Sequence, residues 1–325
     1  MKLGLIVNLE AKKIKSGKVK VENLVKRLEK GKYMIRYIEY PFRSIFYILD
    51  EFRYAGVDVV ALAGGDGTIH KSITKMIEFK EIYEFMPYVT FLKCGTMNSI
   101  AKALGFDDPY STLEKIVEEN VEITDVPLQK FHCFGNEEKT YYGFIMCGLA
   151  IVNFAQRYYS NKIWLMKNPS KTKGIYLFFK TLLSCLCNTK FFNEIAQKAE
   201  MEITLYKDKD EEIKIYDSFN LFVTSAIPIS IFGINAFKEL NSKNSLGFIT
   251  GLVNYKHIVQ NFLVPRILIG KKPEGVYYEY ADKVEISKAD KKNFYVLIDG
   301  EIYCCNKIIS QYYRSLKVLK PKRNS

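Results

Sequence analysis

Residues 63–71 read AGGDGTIHK and follow directly on VDVVAL at 57–62. Apart from Asp58 that run is apolar and rich in valine, which marks a buried strand. Beyond the glycines, Ile69, Ile73, Met76 and Ile77 recur at the spacing of one helix face. A strand therefore stops on Gly64, Gly65 and Gly67, wrapped around Asp66, and a helix starts at Thr68. Glycine serves such a junction in two ways. It reaches backbone angles that other residues avoid, or it lets another group come close to the main chain. At the carboxyl end of a parallel strand the second use points to phosphate. Ligands gather in that crevice, and the start of the next helix adds its positive end.

The same alternation extends on both sides. KLGLIVN (2–8) and YMIRYIEY (33–40) read as strands, and KVKVENLVKRLEKG (18–31) and FRSIFYILDEFRYAG (42–56) as helices stopped by glycine. Downstream, YVTFL (88–92) leads through KCGT (93–96) to a helix carrying Ile100, Ala101 and Leu104. After about residue 122 the rhythm changes to strand-like segments joined by turns: EITDVPLQKFHCF, KTYYGFIMCG, AEMEITLYK, EIKIYDSFNLFVTS, LGFITGLVNY, KVEISK and NFYVLIDGEIY. One helical piece, near 153–187, interrupts them. The expected fold is an α/β domain over residues 1–122, with a parallel sheet and a glycine-rich nucleotide loop. A mainly β, sandwich-like domain over 123–325 follows.

The bulk composition narrows the class. An apolar fraction of 48% over 325 residues is that of a globular chain, and the formal net charge of +12 favours phosphates, nucleic acid or an anionic membrane as partners. The seven cysteines (Cys94, Cys133, Cys147, Cys185, Cys187, Cys304, Cys305) show no CxxC spacing, and with three histidines they assemble no zinc-type cluster. Reduced thiols in a cytosolic protein are expected. The opening apolar run is too short for a signal peptide. The uncharged stretches 141–156 and 220–237 read as buried strands with loops, the second broken by Pro228 and Gly233, so no transmembrane helix is expected. No helix-turn-helix, zinc-finger or RNP-like motif accompanies the charge, and nucleic acid is not expected as a partner.

In the second loop, KCGTMNS at 93–99, Gly95 offers open backbone and Thr96 a hydroxyl. Two such loops at neighbouring strand ends point to a phosphate cleft rather than to two unrelated turns, and neither is a dinucleotide fingerprint or a P-loop. Asp66 is the unusual member, since a carboxylate beside phosphates is repulsive unless a cation or hydroxyl intervenes. It points to Mg²⁺, direct or through water, or to a hydrogen bond with sugar or substrate. Lys93 is a further candidate phosphate contact, and His70 is placed as either a nucleotide contact or a surface residue. Cys304 and Cys305 are expected to pack, and Asp299 and Gly300 to shape a turn.

GGDGT at 64–68, GTMNS at 95–99 and IDGE at 298–301, in that order and with an α/β-then-β layout, resemble the diacylglycerol kinase catalytic-domain family, which includes sphingosine and ceramide kinases. The resemblance implies ATP and Mg²⁺ as cofactors and a membrane lipid hydroxyl, diacylglycerol by default, as acceptor. It places ATP against Asn8, Gly64, Gly65, Asp66, Gly67, Thr68, Gly95, Thr96 and Asn98. Glu301 takes the place of the family's general base, and Asp66 is put beside it as a catalytic residue. This chain departs from the family pattern at Ile69-His70-Lys71, where x-Asn-Glu is usual, and at Ser99, where an acid is usual. It also lacks the acidic turn that holds a structural Mg²⁺ in bacterial members: LNSKNSLGF at 240–248 has no acid, and no metal is expected there. A catalytically degenerate lipid or nucleotide binder and an NAD kinase are the alternatives.

Between Lys139 and Asn193 there is no Asp or Glu, while Arg157, Lys162, Lys167, Lys171, Lys173, Lys180 and Lys190 are interleaved with aromatic residues. Cations and aromatics together suit an anionic membrane surface. A cytoplasmic protein bound peripherally to membrane is expected.

Overall fold

Leu3–Val7 (β1) and Val59–Gly64 (β2) are buried at every position, as parallel strands covered on both faces must be. The computed structural model describes residues 1–29, 45–160, 171–187, 189–207, 211–231, 234–237, 240, 245–251 and 276–322. The strand expected at 33–40 lies outside them, as do residues 241–244 of the acid-free turn.

The chain divides into two compact units, 1–128 with 314–325, and 129–313. The first contains β1, Lys12–Lys15 (α1), Val21–Glu29 (α2), Ile45–Tyr54 (α3), β2, Asp66–Tyr83 (α4), Tyr88–Lys93 (β3), Ser99–Ala103 (α5), Pro109–Val117 (α6) and the start of Val121–Phe134 (β4). β1 pairs in parallel with β2, Leu3 opposite Val59, and β2 in parallel with β3, Val59 opposite Tyr88. Leu24 and Leu28 of α2 and Leu113 and Ile116 of α6 pack onto this sheet with Leu5, Val7, Ala61 and Leu92. Pro109 opens α6, with Asp108 accepting from the N–H groups of Tyr110 and Ser111. Gly4 has no room for a side chain: a Cβ there would lie 2.4 Å from the Phe52 ring.

The second unit continues with Lys139–Gly143 (β5), Ile145–Leu149 (β6), Ala150–Tyr159 (α7), Lys171–Leu186 (α8), Lys190–Ile195 (α9), Ala199–Lys207 (β7), Glu211–Phe219 (β8), Leu221–Ser225 (β9), Ile229–Ile231 (β10), Ile234–Ala236 (β11), Leu246–Gly251 (β12), Val276–Ala281 (β13), Lys283–Lys288 (β14), Phe294–Ile298 (β15), Glu301–Cys305 (β16) and the start of Lys307–Pro321 (β17). One antiparallel sheet runs β13-β12-β9-β6-β15-β16, and in another β14 lies between β7 and β17. One apolar core joins them: Met146, Phe222, Phe248 and Val296 come from the first, and Ile203, Leu205, Val284, Ile286 and Ile308 from the second. This is the expected sandwich, and β7 alternates buried and half-exposed residues as one face of a sandwich requires.

The α/β-then-β order is the one the sequence pattern predicts, with several local differences. The residues read as one strand at 139–148 break at Phe144, and those at 212–225 break at Asn220, so each supplies two strands. The helical piece near 153–187 contains α7 and α8 as separate helices, and the helix expected from Thr68 starts at Asp66. The first unit extends to Leu128, beyond the boundary expected at 122. Residues 314–325, expected in the β domain, belong to the first unit: Val318 pairs in parallel with Val89 of β3, and Leu319 enters the core around β1 and β2. The sequence reading assigns no element there, and nothing in the pattern says which sheet receives the segment.

Leu319→Ala tests that assignment. Truncating a fully packed leucine costs about 2–5 kcal/mol. Amide hydrogen exchange should accelerate in 3–7, 59–64 and 88–93 and stay unchanged in 199–207 and 283–288. Acceleration in the latter segments would place Leu319 in the wrong core.

Candidate active site

The two glycine loops close onto one another, main chain to main chain. A Cβ on Gly95 would stand 2.4 Å from the Gly65 Cα, and one on Gly64 would fall 2.3 Å from the Thr68 Cβ. Neither position owes its glycine to a left-handed backbone, because Gly64, Gly65 and Gly95 all lack positive φ. Close approach is the reason for glycine here. The N–H groups of Cys94 and Gly95 both donate to the Gly64 carbonyl, at 2.9 Å each, so the ends of β2 and β3 are latched together.

Side chains complete the latch. Asp66 Oδ2 accepts from Ser99 N–H at 2.9 Å and Oδ1 from Ile100 N–H at 3.0 Å. Its carboxylate thus caps the start of α5, where N–H groups have no partner within the helix. Asn98 is buried at φ 52°, ψ 47°, a left-handed conformation that asparagine tolerates better than most residues. Its Oδ1 accepts from Gly95 N–H at 2.8 Å and its Nδ2 donates to Gly95 O at 3.0 Å. Asn8 ties in β1: its Nδ2 donates to the buried Thr68 hydroxyl at 2.9 Å, and its Oδ1 accepts from Glu10 N–H.

The candidate residues of the first unit are therefore brought together, in two groups. Asn8, Thr68 and Asn98 hold the loops in shape. Gly65, Gly67 and Thr96 are half-exposed on the latched surface, and the Thr96 hydroxyl has no partner among the described residues. Ile69 N–H takes the Gly65 carbonyl, so the N–H groups of Gly67 and Thr68 precede the first intrahelical bond of α4. Lys93 is held below the ordinary lysine range, first by burial, then by repulsion from Lys13 and Lys102, with Asp107 opposing. Its ammonium donates to the Phe106 carbonyl. Sequence reading named Lys93 but missed Lys13 and Lys102, which no motif distinguishes from the chain's many other lysines. His70 is fully buried in α4, not on the surface.

Glu301 lies in the second unit. It opens β16 and pairs with Ile298 across a two-residue turn, Asp299–Gly300, whose φ values of 46° and 94° are both positive. Asp-Gly is a preferred pair for such a hairpin turn. Asp299 is buried, and its two oxygens accept from Phe144 N–H and Ile145 N–H, each at 2.9 Å. Gln129 steadies the same corner: its Nε2 donates to Phe144 O, while the Thr224 and Ser310 hydroxyls donate to its Oε1 at 2.7 and 2.6 Å. Glu301 itself is half-exposed. Cys305 is in the core beside Cys133, whereas Cys304 is exposed rather than packed.

These groups fit a polyphosphate better than a resident metal. Half-exposed glycine backbone, a helix start, an uncommitted hydroxyl and mutually repelling lysines all favour a bound anion. Among the described residues no group of three or more His, Cys, Asp or Glu side chains could hold a metal ion, and both oxygens of Asp66 already accept N–H groups.

Residues 2–127 match the family model described as "Diacylglycerol kinase catalytic domain". No curated protein matches the sequence. Among solved structures, two from Bacillus anthracis str. Sterne, each described as a "putative diacylglycerol kinase", superpose with TM-scores of 0.68 and 0.64 at 17% identity. They cover 99% of this chain and 95% and 97% of their own lengths. A diacylglycerol kinase from the same organism aligns with a TM-score of 0.59 at 14% identity, over 99% of this chain and 97% of its own. The chain resembles the diacylglycerol kinase catalytic-domain family, through a domain match over residues 2–127 and a fold shared along its length with these proteins.

Proposed function

We propose that the protein is an ATP-dependent lipid kinase that phosphorylates a membrane lipid hydroxyl, with diacylglycerol as the first acceptor to test. The observation that carries this reading is the latched pair of glycine loops at the carboxyl ends of β2 and β3, within the segment that matches the kinase domain. The N–H groups at the start of α4 and the Thr96 hydroxyl hold the phosphates. Lys13, Lys93 and Lys102 supply positive charge, and an anion bound among them relieves their mutual repulsion. Asp66 acts by fixing the second loop against the first. ATP supplies the phosphoryl group, and the divalent ion enters with the nucleotide, which suits Mg²⁺ because it is commonly held by phosphates and water.

Glu301 is the general base. Its carboxylate takes the proton of the acceptor hydroxyl as the oxygen–phosphorus bond forms and ADP departs. Asp299 and Gln129 keep the hairpin that presents it in place. A nucleotide or lipid binder without turnover is the second reading, favoured by the engagement of both Asp66 oxygens inside the protein.

The deciding experiment is transfer of labelled γ-phosphate from ATP to mixed micelles of diacylglycerol, sphingosine or ceramide. Wild type should label one lipid, diacylglycerol first, and Glu301→Gln should lose at least about a hundredfold in kcat, within the usual range for a general base. No labelled lipid from protein that binds ATP would establish the second reading, and phosphorylation of NAD would establish an NAD kinase.

Two substitutions separate holding from binding. Asp66→Ala removes the carboxylate that caps the start of α5, at a cost of about 0.5–2 kcal/mol. It should lower the melting temperature and raise KM for ATP together. Thr96→Val should raise KM for ATP several-fold with an unchanged melting temperature; the reverse pattern would exchange the two roles.

A further inference from the structure

Helix α8 is built inside out. Its fully buried positions include Lys173, whose ammonium donates to the Ser160 carbonyl at 2.6 Å, and Leu177. Apart from Thr172 and Lys180, its exposed described positions are apolar: Ile175 is 58% exposed, Tyr176 44%, Phe179 55% and Leu183 61%. At 3.6 residues per turn these four fall within about 100° of the helix circumference, one continuous stripe. A surface helix ordinarily turns its charge outward and its leucines in. Here the buried side faces α7 and α9, and the apolar side faces solvent.

We propose that this stripe is a membrane-docking surface whose partner is a bilayer containing anionic lipid. The inference deepens the kinase reading and rests on it for the membrane acceptor. Charge selects the partner. Lys180 flanks the stripe and is exposed, as is Lys190 at the start of α9, and no acidic residue occurs between Lys139 and Asn193. The aromatic members suit the headgroup boundary, where an amphipathic helix lies in the interface plane with its apolar side sunk and its basic residues at the phosphates. A second copy of the chain fits less well. A two-fold contact through this stripe brings the Lys180 and Lys190 of both copies into one interface, and the carboxylate nearest to them in sequence, Glu194, is already paired with Arg157. Among the described residues no helix is long and apolar enough to cross a membrane, so α8 lies on the surface.

Cosedimentation with vesicles tests this without nucleotide or acceptor lipid. Wild type should bind vesicles of equimolar phosphatidylcholine and phosphatidylglycerol, bind pure phosphatidylcholine more weakly, and be released by salt. The double variant Phe179→Ser, Leu183→Ser should lose about tenfold or more in partitioning while its melting temperature stays unchanged. Lys180→Glu should lose chiefly the preference for anionic vesicles. Undiminished binding by the double variant would overturn the proposal. So would a wild-type dimer that the double variant converts to monomer, because the stripe would then join two copies. The kinase reading fails separately: vesicle binding through α8 without lipid phosphorylation refutes the kinase and leaves the docking surface standing.

Discussion

The carboxylate of Asp66, accepting from the N–H groups of Ser99 and Ile100, fixes the geometry of the first unit's candidate site. The two loops it joins come from separate strand ends, and each is short of side chains that could hold it in place. With the latch made, Gly65 and Gly95 touch through their backbones, and Asn98 can sit in a left-handed conformation that returns both its amide groups to Gly95. The Asn98–Gly95 hydrogen bonds are buried, and such an arrangement is costly to leave half made. That is why the small residues and the polar residues of the two loops have to occur together.

The two units stabilise their candidate residues in the same manner although their architectures differ. In the first, an aspartate accepts two consecutive N–H groups at the start of a helix. In the second, Asp299 accepts two consecutive N–H groups at the start of β6, and so holds the turn that precedes Glu301. In both, the carboxylate with the more conspicuous motif position serves the backbone, and the candidate chemical groups are its neighbours: Thr96 and loop N–H groups in one unit, Glu301 in the other.

Much of this could be read in the amino-acid pattern, for physical reasons. Strands buried on both faces must be uniformly apolar, so β1, β2 and β3 announce themselves. Helices on a sheet must repeat at 3.6 residues, which located α2, α3 and α4. The Asp-Gly turn before Glu301 is a local preference and was equally plain. What the pattern hid depends on partners distant in sequence. From sequence the glycines of the two loops admit two explanations, backbone angle and close approach; the Gly65–Gly95 contact and the lack of positive φ select the second. The destination of Asp66, the burial of His70 and the clustering of Lys13, Lys93 and Lys102 are likewise decided by packing. Gly143 beside the first break and Asn220 at the second are the only local marks of the breaks within continuous strand-like runs.

The strand β17 adds a constraint in time. The first unit's parallel sheet gains Val318 beside Val89, and its core gains Leu319, only after residues 129–313 have been synthesised. A growing chain emerging from the ribosome therefore holds an incomplete α/β sheet, its β3 edge unpaired by that strand, while every residue of the β-rich unit appears. The amino-terminal unit is begun first and finished last. Its closure depends on a contact of very long sequence separation, the class of contact that slows folding most.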